Sequence, residues 1–267
     1  MNFMDETAGA EFPEPTIETV NALKIKPKRI DWLWAQRIAK RKFSMIAGEP
    51  GLGKSQLTAS LAAIKSIGGI FPGSSTPCNP GRVVVISCED DAEDTVVPRL
   101  LAAEADLRHI DLIFHVNDVN HDGRPCRRDL DLTIDTDLVE RTLSSYQNLD
   151  LVFIDPISAY LGNIDSHNNA QVRALLAPLG DLSARLNAAI VGITHLNKGS
   201  GKSFLQRING SSAFAAAPRA VFFVAKDPND PDRRLFLPGK IIWAKIGKAC
   251  HSRSFRPLQK LNAEISR

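Results

Sequence analysis

The feature that most limits what this chain can fold into is an apolar run, Phe43–Ala47, that passes directly into Gly48-Glu49-Pro50-Gly51-Leu52-Gly53-Lys54-Ser55. The spacing G-x-x-x-x-G-K-S requires a strand before it and a helix after it. Its glycines let the backbone turn tightly enough for successive N–H groups to converge on one anion, and the positive end of the following helix adds its dipole. Leu57, Leu61 and Ile64 fall on one face of the segment after Ser55, so the helix is expected there. A loop that must sit between a buried strand and a helix points to an α/β architecture.

Further runs of the same kind recur at Val83–Ser87, Leu112–Val116, Leu151–Ile154, Ala189–Thr194 and Ala220–Val224. They do not alternate in polarity, as expected of strands buried on both faces of a parallel sheet. Between them, Val172, Leu175, Leu176, Leu179, Leu182 and Leu186 share a helical face, with Pro178 predicting a kink. The fold class read from this alternation is α/β, a doubly wound, mainly parallel sheet with helices on both faces. A terminal hairpin is expected from Arg233–Leu237 and Lys240–Ala244.

A length of 267 residues suits one large domain with tails. Residues 1–28 read as an acidic tail containing Pro13, Pro15 and Pro27, residues 29–240 as the α/β domain, and 241–267 as a basic segment. The acids of the first 20 residues have no Lys or Arg among them; from Lys240 onward the bases meet Glu264 alone. The four cysteines, Cys78, Cys88, Cys126 and Cys250, lack zinc-site spacing and read as reduced thiols. No apolar run reaches 18 residues and no basic-then-apolar leader opens the chain, so a cytoplasmic protein without a membrane partner is expected.

The chemistry is expected at strand ends, because ligands of open parallel sheets bind beyond the carboxyl edge. The segment Gly48–Ser55, with Gln56 after it, predicts binding of ATP: Lys54 reaches the β and γ phosphates and the Ser55 hydroxyl holds Mg²⁺. Asp155 ends the run Leu151–Ile154, as a Mg²⁺ carboxylate must, although an acid capping a strand before Pro156 has the same pattern. Val83–Ser87 leads through Cys88 to Glu89, Asp90 and Asp91. Glu89 can orient and deprotonate an attacking water, whereas Asp91 and Asp94 suit the start of the next helix. His195 closes Ala189–Thr194, where it can sense a γ-phosphate or simply be a satisfied histidine.

This order of elements resembles the RecA-like P-loop ATPases, and within them the RepA-type hexameric replicative helicases of plasmids and phages. The resemblance runs from about Ile30 to Phe223. It rests on Trp32-Leu33-Trp34, Ser87-Cys88-Glu89-Asp90-Asp91, Thr95-Val96-Val97-Pro98-Arg99-Leu100 and Ile154-Asp155-Pro156. Asp165-Ser166-His167-Asn168-Asn169, His195-Leu196-Asn197-Lys198 and Gly210–Phe214 leading to Arg219 complete it. It implies Glu89 as catalytic base, Asp155 as magnesium ligand and His195 as γ-phosphate sensor. It also implies Arg219 as a finger reaching a neighbouring subunit's site, hence a homo-oligomer, usually a hexamer. The segments 162–170 and 197–209 would then face a channel, with Lys198, Lys202 and Arg207 on single-stranded DNA. By composition alone a solvated loop fits equally. The chain departs from the family at Lys240, where Ile241, Ile242 and Trp243 replace a polar stretch. No primase or DNA-recognition domain is recognisable, so loading would need a replication initiator or primase partner. The function expected is a DNA-driven motor; the alternatives are an ATPase switch or loader without unwinding, and a small-molecule kinase, which lacks an evident lid segment here.

Overall fold

The computed structural model describes residues 17, 19–196, 207–208, 212–242 and 250–252. The chain divides into two units, Met1–Ile30 and Asp31–Arg267. In the first, the described residues hold one 3₁₀ turn, Ala22–Lys24, started by Asn21, whose side chain accepts from the Leu23 amide at 2.9 Å.

The second unit is built on strands separated by helices. Strands β1 (Trp32–Trp34) and β2 (Ile38–Ala39) form a small antiparallel ribbon ahead of β3 (Phe43–Gly48) and helix α1 (Lys54–Ile67). Then come β4 (Arg82–Ser87), a π-helical turn Ala92–Val96, α2 (Val97–Ala102), β5 (Ile110–Ile113) and the hairpin of β6 (Val116–Val119) and β7 (Pro125–Arg128). Next are α3 (Thr136–Ser144), β8 (Leu149–Asp155), α4 (Asn169–Arg185), β9 (Ala189–His195), α5 (Ala213–Ala216), β10 (Ala220–Asp227), β11 (Asp230–Ile241) and β12 (Cys250–Ser252). The main sheet has the order β12-β11-β10-β3-β9-β8-β4-β5. From β10 to β5 every pairing is parallel; β11 and β12 add antiparallel strands at one side.

Both faces of the sheet are covered, and each strand divides its side chains between them. Val84, Ile86, Val152, Ile154 and Phe223 pack with Val172, Leu176 and Leu179 of α4 on one face. Val83, Val85, Leu151, Phe153 and Phe222 pack with Leu57 and Leu61 of α1 and Leu100 of α2 on the other. This two-sided burial explains why the strands read as unbroken apolar runs. Each large side chain so buried contributes about 1.5–3 kcal/mol.

Two local expectations change. The run Leu112–Val116 is not one strand: β5 ends at Ile113, and Val116 opens the separate β6. Of the expected pair Arg233–Leu237 and Lys240–Ala244, the residues as far as Ile241 form one strand, β11, which folds back on β10, and residues 243–244 lie outside the described residues. Its turn lies earlier, around Asp227–Asp230, so the domain boundary placed at 240 falls inside a strand. Helix α4 continues through Pro178. Of the basic segment 241–267, Cys250–Ser252 pairs with β11, and most of the rest lies outside the described residues.

Candidate active site

The phosphate loop begins where β3 ends. A Cβ on Gly48 would lie 2.9 Å from the Val224 carbonyl of β10, so the neighbouring strand excludes any larger residue. Gly51 and Gly53 have φ of 74° and 83°, in the left-handed region where glycine is favoured. Gly53 caps α1 without any side-chain hydrogen bond, which leaves the amides of the first turn directed at whatever anion approaches. Lys54 is buried, 6% exposed. Its ammonium donates to the carbonyls of Gly48 at 2.9 Å and Glu49 at 3.0 Å.

The register of the sheet aligns the other groups with this loop. Gly48 stands opposite His195, and Ser87 opposite Asp155, so these strand ends share one edge. His195 Nδ1 lies 3.1 Å from Lys54 Nζ. An ammonium only donates, so Nδ1 accepts and the imidazole is neutral with its proton on Nε2. Burial, then the Lys54 charge, lowers the His195 pKa against the pull of Glu89. Burial lowers Lys54 as well, while Asp155 and Glu89 raise it.

Asp155 ends β8 and is joined to Pro156 by a cis peptide bond. Burial pushes its pKa up to about 6; the hydrogen bond with Ser55 and the Lys54 charge oppose this, and Asp90 and Glu89 add to it. Ser55, Ser87, Asp90, Arg99 and Asp155 line a cavity of about 30 Å³. Asp155 and Ser55 are therefore already paired beside an ion-sized space. That donor set fits Mg²⁺, which is held by one or two carboxylates together with phosphate oxygens and water. No cluster of three or more His, Cys, Asp or Glu that could hold a metal occurs among the described residues.

The three consecutive acids after β4 separate by partner. Asp91 starts the next turn, accepting from the amides of Glu93 at 2.7 Å and Asp94 at 3.3 Å. Asp90 is ion-paired with Arg99. Glu89 is exposed and acts electrostatically on Lys54, His195 and Asp155. On the other side of the loop, Gly51, Leu52, Gln56 and Leu57 border a cleft of about 170 Å³ closed by Val224, Arg234 and Phe236.

The remaining expected residues lie elsewhere. Arg219 precedes β10 and hydrogen-bonds its amide to the Phe43 carbonyl, at the amino edge of the sheet, opposite the phosphate loop. Lys240 donates to the carbonyls of Ala215, Ala216 and Pro218 at 2.8–3.0 Å, holding the turn that leads to Arg219. Lys198 and Lys202 lie outside the described residues. Arg207 is within them. Its guanidinium is paired with Glu49 of the phosphate loop at 2.5 Å, and its side chain is 16% exposed. Nothing in the sequence pattern signalled that pair.

Comparison with known proteins gives the family and the fold. Residues 10–201 match the family described as an AAA domain. The chain belongs to that family. Among solved structures it is similar to an ATPase domain, with a TM-score of 0.54 at 12% identity, covering 78% of this chain and 80% of that one. At that identity the likeness shows the fold. No curated protein matches in sequence. The chain is thus a RecA-like P-loop ATPase, related in fold to an ATPase domain of similar extent. Among the described residues no helix is long and apolar enough to cross a membrane.

Proposed function

We propose that this AAA-domain protein hydrolyses Mg-ATP to drive movement along single-stranded DNA as a ring, usually of six subunits, in replication of a plasmid or phage type. Within each protomer, the amides of Gly51–Ser55 and the Lys54 ammonium hold the phosphates, with Ser55 and Asp155 holding the ion. Glu89 takes the proton of the attacking water. When bound, Mg²⁺ supplies neutralisation of the charge that develops on the transferring phosphoryl group. The cleft beside Leu52 and Gln56 accommodates the base. Arg219, set on the far edge of its own sheet, is able to serve only a neighbour's phosphates.

One observation carries the motor reading over a static nucleotide-binding role: the contact between Lys54 and His195. Lys54 must exchange its backbone carbonyls for phosphates, and any such move alters the contact at the end of β9. That strand leads into residues 197–206, which contain Lys198 and Lys202. A change at the phosphates therefore has a direct route to a basic segment suited to a nucleic-acid backbone. The test is steady-state ATP turnover with and without single-stranded DNA, with sizing in a non-hydrolysable ATP analogue. DNA stimulation and a ring-sized assembly are expected. An assembly whose turnover ignores DNA would identify a switch or loader instead.

A further inference from the structure

We infer that Arg207 is a second cation of the phosphate site, held on Glu49 while the loop is empty and transferred to nucleotide phosphate on binding. This rests on the ATP-binding reading of Gly48–Ser55 and adds to it a ligand group and a control on affinity. Four observations converge. The Arg207 guanidinium reaches Glu49, the second residue of the phosphate loop, across 158 positions of sequence. The Glu49 carbonyl is itself a partner of the Lys54 ammonium, so Arg207 and Lys54 are bound to the same residue. Ile208 bridges to Leu196, which sets Arg207 beside the end of β9, where His195 meets Lys54. Finally, the Arg207 side chain is mostly buried while that of Glu49 is about half exposed, 16% against 53%.

The chemistry of exchange follows from the partners. A carboxylate half open to water is a weak holder of a guanidinium, because solvent screens the pair. A nucleotide polyphosphate brings several charges and paired oxygens that match the guanidinium fork, a stronger partner than one screened carboxylate. The arriving phosphates also repel Glu49. Both effects move Arg207 toward the nucleotide. Glu49 thereby lowers nucleotide affinity by occupying the cation, and its loss increases affinity. The exchange displaces Arg207 and Ile208, the residues that follow the basic segment, just as the Lys54 exchange acts on His195 before it. Both ends of residues 197–206 are then coupled to the occupancy of one loop.

The test is a double-mutant cycle on the full chain, reading the Kd of a fluorescent non-hydrolysable ATP analogue with Mg²⁺ and the thermal midpoint without nucleotide. Glu49→Gln is expected to tighten binding about 3- to 10-fold and Arg207→Ala to weaken it by a similar factor. Arg207→Lys retains charge without the fork and should fall between parent and Arg207→Ala. The double variant should gain less from the loss of Glu49 than the parent does, since Glu49 then has no cation to withhold and only its repulsion of the phosphates is relieved. If Glu49→Gln and Arg207→Ala both leave Kd within twofold, or weaken it alike while lowering the thermal midpoint, the pair is a structural clasp and the inference is wrong. Lys54→Ala separates this from failure of the underlying reading: analogue binding left unchanged by that substitution overturns the nucleotide site itself.

Discussion

Strand β8 carries an aspartate at each end, and the two are held in opposite ways. Asp150, at the amino edge of the sheet, is paired with Lys40 and Lys65, each at 2.5 Å, and Lys65 also donates to the Asn79 carbonyl at 2.7 Å. Asp155, five residues on at the carboxyl edge, has no ion pair among the described residues. It has a hydroxyl hydrogen bond, a buried position and a pKa raised to about 6. One edge thus neutralises its charges within the protein. The other sets Lys54 and Asp155 close enough to shift each other, with Glu89 acting on both, and none of the three has an ion pair among the described residues. Unneutralised charge of this kind is expected where a ligand supplies the missing partner.

The strongest test of that contrast is Lys54→Ala. Removing the ammonium should abolish ATP turnover while circular dichroism shows the fold retained. Turnover equal to the parent would end the assignment of the carboxyl edge as the site.

Arg219 sharpens the comparison by asking whether the two edges cooperate between molecules. Loss of a cation that stabilises the transferring phosphoryl group should lower turnover by ~10³-fold. Mixing inactive Lys54→Ala with inactive Arg219→Ala should restore part of the activity, because some interfaces would combine an intact loop with an intact arginine. If mixed oligomers form and stay inactive, Arg219 belongs to the amino edge as a structural residue only. Within the carboxyl edge, Glu89→Gln should retain nucleotide binding and lose turnover by ~10²-fold, the size of a general-base contribution. Unchanged turnover would make Glu89 an ordinary exposed acid.

The strand-end groups of the carboxyl edge were legible in the sequence, and the long-range ion pairs of either edge were not. Glu89, Asp155 and His195 each stand at or just beyond the end of an apolar run, so chain order alone brought them to one side of a parallel sheet. Gly51 and Gly53 announced themselves through spacing. By contrast, the partners of Asp150 lie at positions 40 and 65, and the partner of Glu49 at position 207. Such pairs depend on tertiary folding and leave no periodic trace. The length of β11 was obscured because Pro238 and Gly239 look like a turn, although an antiparallel strand near a sheet edge, here with a register shift close to Phe222, accommodates both. Lys240 followed the family pattern in type only; it and Ile241 close strand β11, and its ammonium is used on the carbonyls before Arg219.

The last and smallest effect is on stability, and here the two aspartates of β8 should respond with opposite signs. In Asp150→Asn the amide retains the shape but leaves two ammonium groups, one of them almost fully buried, without their shared counter-charge. Breaking such a pair costs about 3 kcal/mol, so the thermal midpoint should fall by several degrees with turnover per folded molecule unchanged. Asp155→Asn should raise the midpoint of the nucleotide-free protein. A carboxyl whose folded pKa is raised to about 6 from an ordinary value of 3.8 is penalised when ionised, so folding loses stability as pH climbs between those values. Above pH 6 the full penalty applies, roughly 1–3 kcal/mol. An amide is free of it. The gain from Asp155→Asn should accordingly be largest above pH 6 and vanish below about pH 4, measured by thermal unfolding across that range. If Asp155→Asn destabilises at pH 7.5 as Asp150→Asn does, then Asp155 is a structural acid as well, and the contrast between the two ends of β8 is lost.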